Sequence, residues 1–156
     1  MPLRNAELAD ILLKKGMTVS FAESCTGGLL SSIITSLPGS SAYFKGSAVT
    51  YSNESKIRLL NVRESTLIAY GAVSPQTAIE MAEGARSLFS TDISGSITGI
   101  AGPDGGTDEK PVGTVFMSIT DGTRHVEFGF RFDGDRNTVQ RKTAETMIEK
   151  MIEFLS

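Results

Sequence analysis

The segment Glu23-Ser24-Cys25-Thr26-Gly27-Gly28 sets two nucleophile types side by side, between an apolar run that reads as a strand and one that reads as a helix. A strand-to-helix turn exposes a side chain and aims backbone N–H groups at whatever precedes the helix. Such donors suit a phosphate or a developing oxyanion. Ser24 needs a base, because a serine hydroxyl is inert at its ordinary pKa. Cys25 carries the intrinsically better nucleophile, and a helix N-terminus lowers a thiol's pKa. Successive residues leaving a strand point to opposite sides, so one of the two is expected to face a pocket and the other to fill the core. Glu23 reads three ways, as a general base, a helix-start carboxylate or a buried hydrogen-bond partner.

The usual base is a histidine, and the chain has one. His125 lies in "TRHVEFGF", whose alternation marks an edge or structural strand residue. Lysine or a carboxylate remains. "YSNESK" places Lys56 on the first turn of a helix that follows a strand end, where the helix dipole disfavours an ammonium. To act as a base, a lysine must fall from about 10.4 to about 7–8, roughly 4 kcal/mol of differential solvation. Burial supplies such a shift. Tyr51, on the same segment, could relay or orient the proton. The competing reading makes Lys56 a solvated helix lysine and Tyr51 a strand-end aromatic, and spacing alone leans slightly to it.

Two further segments suit an anion. "GIAGPDGGTDEKPVG" is glycine-rich, which lets backbone amides approach a ligand closely. It lacks the G-K-[ST] of a phosphate-binding loop and the glycine spacing of a dinucleotide fingerprint. "GDR" puts Arg136 at the start of the last helix, to clamp a phosphate or to pair with Asp133 or Asp135. Thr98 could hydrogen-bond a ligand or simply face a sheet.

The elements that must position these residues follow from periodicity and breakers. Helices are predicted over 6–15, 26–36, from Ser52 or Asn53 to about Leu60, from Ser74-Pro75 to about Phe89, and over 136–155. Strands are predicted over 17–22, 47–51, 92–100, 112–120 and 124–132, the last two joined by the hairpin signal Asp121-Gly122. Strands separated by helices imply crossovers, and the late hairpin forces an antiparallel strand. The expected fold is α/β, a three-layer α/β/α sandwich with a five-stranded mixed, mostly parallel sheet. Ligands bind beyond the carboxyl ends of strands in such sheets. "ESCTGG", "YSNESK" and "GIAGPDGG" each follow a predicted strand end, so they should converge.

The totals set bounds. The chain has 156 residues and suits one domain, 1–156. Hydrophobic residues make up 40% and charged residues 21%, which fits a globular core. A net charge of −3 argues against broad nucleic-acid or acidic-membrane binding. One cysteine rules out an internal disulfide, and one histidine leaves no His-rich metal site within the chain. No signal peptide or membrane-length apolar run is apparent, so a cytoplasmic location is expected.

"AESCTGG", "VTYSNESK", "GAVS", "TGIAGPDGGTDEKPVGTV" and "GDR", in this order and spacing, closely resemble the C-terminal domain of the CinA (competence/damage-inducible) family. Its stand-alone members include nicotinamide-nucleotide amidohydrolases. Each motif is weak alone; the five together are specific, and the likeness runs from about Ala6 to the C-terminus. The resemblance implies hydrolysis of the carboxamide of nicotinamide mononucleotide, giving nicotinate mononucleotide and ammonia, with no metal or cofactor. It puts the family's serine on Ser24, its lysine on Lys56 and its tyrosine on Tyr51. On this reading backbone N–H groups around Thr26, Gly27 and Gly28 hold the oxyanion. Gly102, Gly105, Gly106 and Arg136 take the ribose-phosphate end. The expected partner is a small-molecule nucleotide, with neither nucleic acid nor membrane involved, and the family suggests a homodimer. The competing class is a non-catalytic nucleotide-binding or regulatory module that leaves Ser24 idle.

Overall fold

The computed structural model describes residues 3–156. Helix α1 (Asn5–Lys15) stops at Gly16, which takes a left-handed φ of 65° and returns its N–H to the Leu12 and Leu13 carbonyls. Strand β1 (Val19–Glu23) leads into α2 (Leu29–Thr35), then a short 3₁₀ turn (Ser40–Ala42) and β2 (Phe44–Val49). Three helices follow, α3 (Asn53–Leu60), α4 (Glu64–Tyr70) and α5 (Pro75–Phe89). Strand β3 (Ile93–Gly99), the hairpin β4 (Thr114–Thr120) and β5 (His125–Arg131), and α6 (Arg136–Leu155) complete the chain.

The strands form one five-stranded sheet in the order β2-β1-β3-β4-β5. β1 runs parallel to both β2 and β3, while β3–β4 and β4–β5 are antiparallel. Four strands therefore share one direction and only β4 opposes them. Helices α1, α2 and α6 cover one face, and α3, α4 and α5 the other.

The two faces are built differently. Val19, Phe21, Ile93, Ile97, Val115, Met117 and Ile119 form the apolar side, packed with Leu8, Leu12, Met147 and Met151. On the other face, Ser20 of β1 and Ser94, Ser96 and Thr98 of β3 carry hydroxyls. Ser20 donates to the Ala85 carbonyl, Ser94 to Ala82, Ser96 to Ala78, and Thr98 to Ala72 just ahead of α5. These four bonds lie in fully or nearly fully buried ground, so each satisfies a group that would be costly to leave alone. Small residues on α5 permit the approach. At Gly84 an added Cβ would lie 2.0 Å from the Leu60 carbonyl oxygen, so α3 and α5 touch backbone to backbone there.

Several boundaries differ from the sequence expectation. α2 begins at Leu29 rather than Thr26, because Gly27 and Gly28 adopt φ of 60° and 104°, outside the helical well. β2 covers Phe44–Val49 rather than 47–51, pairing with β1 from Val19 onward. α4 had no sequence expectation; seven residues with one buried apolar side chain, Leu67, carry too little period to announce a helix. The caps follow the expected chemistry. Ser74 accepts the Thr77 N–H ahead of Pro75, and Asp135 accepts that of Thr138.

Candidate active site

β1 ends on Glu23, whose carboxylate is fully buried. One oxygen accepts from the Thr26 hydroxyl at 2.7 Å and from the Gly28 and Leu30 amides at 3.2 and 3.0 Å. The other accepts from the Ser31 amide at 2.9 Å and from the Ser31 hydroxyl. The start of α2 thus closes around an internal anion, which balances unpaired amides against a negative charge. This settles the three readings of Glu23: it is a buried hydrogen-bond partner that shapes the turn, with its acceptor sites already occupied.

The turn also settles which amides remain. The Gly27 N–H goes to the Ser24 carbonyl at 3.1 Å, and the Gly28 N–H goes to Glu23. Among the described residues, the Ser24, Cys25 and Thr26 amides have no hydrogen-bond partner. The free donors therefore lie ahead of the glycines, from Ser24 to Thr26.

Ser24 and Lys56 meet across the end of the sheet. Lys56 Nζ stands 3.1 Å from Ser24 Oγ and donates to the Thr50 carbonyl at 2.6 Å. Lys56 is only 1% exposed and Ser24 8%. Burial pushes the lysine down to about 8. A neutral amine held this way gives one N–H to Thr50 and can turn its lone pair to the serine hydroxyl. The helix that carries Lys56 is pinned by a Ser52–Ser55 capping box, so the amine's base is fixed.

Cys25 borders the cavity beside Ser24, yet it is buried and packs into the apolar core, so it fills the core as expected. The thiol is quiet, since burial pushes it up to about 12.

A cavity of about 260 Å³ opens over this pair. Ser24, Tyr51, Lys56, Gly102, Gly105 and Arg136 line it, together with Asn53, Thr98 and Asp104. Thr26, Gly27, Gly28 and Gly106 do not. The two early glycines form the turn, and Gly106 backs onto Val112, whose amide nitrogen would lie 2.7 Å from an added Cβ. Arg136 donates to the Gly102 carbonyl and to the Tyr51 hydroxyl, each at 2.7 Å. It has no carboxylate partner among the described residues, and Asp135 instead caps α6. The guanidinium therefore brings a positive charge without a direct ion pair to a cavity that Asp104 also lines.

Thr98 spends its hydroxyl on Ala72. His125, half exposed, starts β5 at the opposite end of the sheet, 3.7 Å from Glu127. Asn53 and Asp104 were missed in the sequence, though each sits inside a segment already singled out, "YSNESK" and "GPDGG". Among the described residues, no three His, Cys, Asp or Glu side chains gather as a metal centre, and no helix is long and apolar enough to cross a membrane.

Fold and site together define an α/β domain that holds a buried serine–lysine pair at the carboxyl edge of its sheet. The model of the CinA C-terminal domain matches residues 4–155, and the chain belongs to that family. It is 52% identical over 139 residues to a CinA-like protein of Endomicrobium trichonymphae, covering 89% of this chain and 32% of that one. It is 48% identical to a CinA-like protein of Geobacter metallireducens, covering 91% and 34%. The chain thus spans about a third of the length of these relatives. Among solved structures, the competence/damage inducible protein CihA from Agrobacterium tumefaciens superposes with a TM-score of 0.93 at 38% identity, over 100% of this chain and 98% of that one.

Proposed function

We propose that this domain is an amidohydrolase that converts nicotinamide mononucleotide to nicotinate mononucleotide and ammonia. The observation that carries the reading is the 3.1 Å contact between Ser24 Oγ and Lys56 Nζ inside a cavity. The substrate comes from the family resemblance. The reaction then runs as acyl transfer. Neutral Lys56 takes the Ser24 proton as the oxygen attacks the carboxamide carbon. The unpaired amides of the turn hold the oxyanion, Cys25 from the cavity wall and Thr26 from the residue behind it. Lys56 returns the proton to the departing nitrogen, which leaves as ammonia. Water, deprotonated by the same amine, then cleaves the acyl-enzyme to nicotinate mononucleotide, and the proton passes back to Ser24 Oγ. Arg136 takes the phosphate end, and Gly102 and Gly105 leave room for it. Tyr51 is held by Arg136 and belongs with the mouth; the amine reaches the serine without a relay.

Ammonia release from nicotinamide mononucleotide by the wild type and by Ser24→Ala tests the proposal. The substitution should remove at least about 10³-fold of the rate while circular dichroism stays unchanged. Binding of the nucleotide with no release by the wild type would favour the non-catalytic module instead. Exposed apolar side chains at Val49, Leu59, Ile68 and Tyr70 support association of two copies, which light scattering tests.

A further inference from the structure

α6 reaches the site twice. Arg136, its first residue, ties the glycine loop to Tyr51. One turn on, the partly buried Gln140 donates from Nε2 to the Cys25 carbonyl oxygen at 2.9 Å, across 115 positions of sequence. That carbonyl belongs to the peptide that also carries the Thr26 N–H. A peptide unit is planar, and its C=O and N–H point in opposite directions. Holding the oxygen therefore fixes the direction of the N–H. The Thr26 amide is left unpaired directly behind Cys25, which lines the cavity, whereas the next two amides are already committed within the turn.

We propose that Gln140 is a positioning residue for the nucleophile turn, which orients the Thr26 amide as an oxyanion donor by clamping the Cys25 carbonyl. The inference deepens the amidohydrolase reading and rests on it. The Glu23 carboxylate anchors the turn from the α2 side, and Gln140 anchors it from α6. With the Gln140 bond lost, the Cys25–Thr26 peptide is free to rotate, and the donor is loosened rather than deleted.

The test compares Gln140→Glu, Gln140→Ala and Gln140→Lys in the full chain. Glutamate keeps the shape but presents only acceptors to a carbonyl oxygen, and lysine restores a donor. We expect Gln140→Glu and Gln140→Ala to lose roughly 10–100-fold in kcat with KM within about twofold. Gln140→Lys should recover most of that loss, with all three melting within a few degrees of the wild type. Wild-type kcat in Gln140→Glu overturns the proposal. So does an equal loss in all three variants accompanied by equal destabilisation. A wild type that releases no ammonia from nicotinamide mononucleotide sinks the amidohydrolase reading rather than this one. In that case the rate at which a fluorophosphonate labels Ser24 reads the same oxyanion donors. Slower labelling of Gln140→Glu, recovered in Gln140→Lys, supports the clamp, and equal or absent labelling overturns it.

Discussion

Lys56 Nζ reaches Ser24 Oγ directly, at 3.1 Å, from 32 positions further along the chain. The contact bridges the ends of β1 and β2, which pair in parallel up to Glu23 and Val49. Two segments that leave neighbouring strands at the same edge of the sheet are thus brought together by the sheet itself.

The first prediction concerns pH. Burial holds Lys56 at about 8, so the neutral base is a minority species at pH 7. kcat/KM should climb about tenfold per pH unit below 8 and level off above it. A flat profile between pH 6 and 8 contradicts a lysine base.

Stability carries the opposite face of the same shift. The folded lysine lies below its unfolded value of about 10.4, so at pH 7 the fold bears a cost of roughly 3 kcal/mol. The cost is fully present below about 8 and fades as pH rises from there toward about 10.4. Lys56→Met should therefore abolish turnover yet leave the melting temperature at pH 7 equal or higher, and the gap from wild type should close by pH 10. A melting temperature that falls sharply at pH 7 contradicts the desolvation account.

Tyr51 and Arg136 separate binding from chemistry. Tyr51→Phe removes an acceptor for the guanidinium but leaves the Ser24–Lys56 contact intact. Its kcat should stay within about threefold of the wild type. Arg136→Ala should raise KM roughly 10–100-fold, as expected for loss of a charge-assisted phosphate contact. A Tyr51→Phe kcat reduced by about 10³ would return the phenol to a relay role.

Glu23→Gln tests the buried anion. The carboxylate accepts from five donors, and an amide must turn its NH₂ toward some of them. We expect a loss of about 2–4 kcal/mol in urea unfolding, with activity falling as the turn loosens. Unchanged stability would mean that the start of α2 needs no negative charge.

Cys25→Ala should leave ammonia release near the wild-type level, because burial keeps the thiol protonated at neutral pH. Thiol reagents should react slowly with the native protein and quickly once it is unfolded. Rapid native labelling at pH 7 contradicts this.

Much of this arrangement was legible in the residues. The α/β order, the mixed sheet and the convergence of three strand-end segments follow from periodicity, glycine and proline positions, and the Asp121-Gly122 hairpin. Less legible was anything that depends on one side chain choosing among partners. Glu23 stayed open because a carboxylate beside a turn looks the same whether it serves as base or anchor; only its five donors decide. The serine-rich stretch of β3 gave no hint that its hydroxyls meet the carbonyls of α5. Gln140 carries no motif, and its tie to Cys25 depends on how α6 crosses the sheet. Lys56 leaned to the solvated reading because spacing cannot report burial.

The hydroxyl bonds from Ser20, Ser94 and Ser96 to successive turns of α5 have directions as well as strengths. A greasy seam lets a helix slide or rotate by fractions of an ångström; this one is keyed, like a rack under a pinion. Sliding α5 would break every tooth at once. Larger aliphatic residues on that side would wedge the seam apart and strand the donors, so efforts to harden the domain belong on the opposite layer, where shape alone sets the fit.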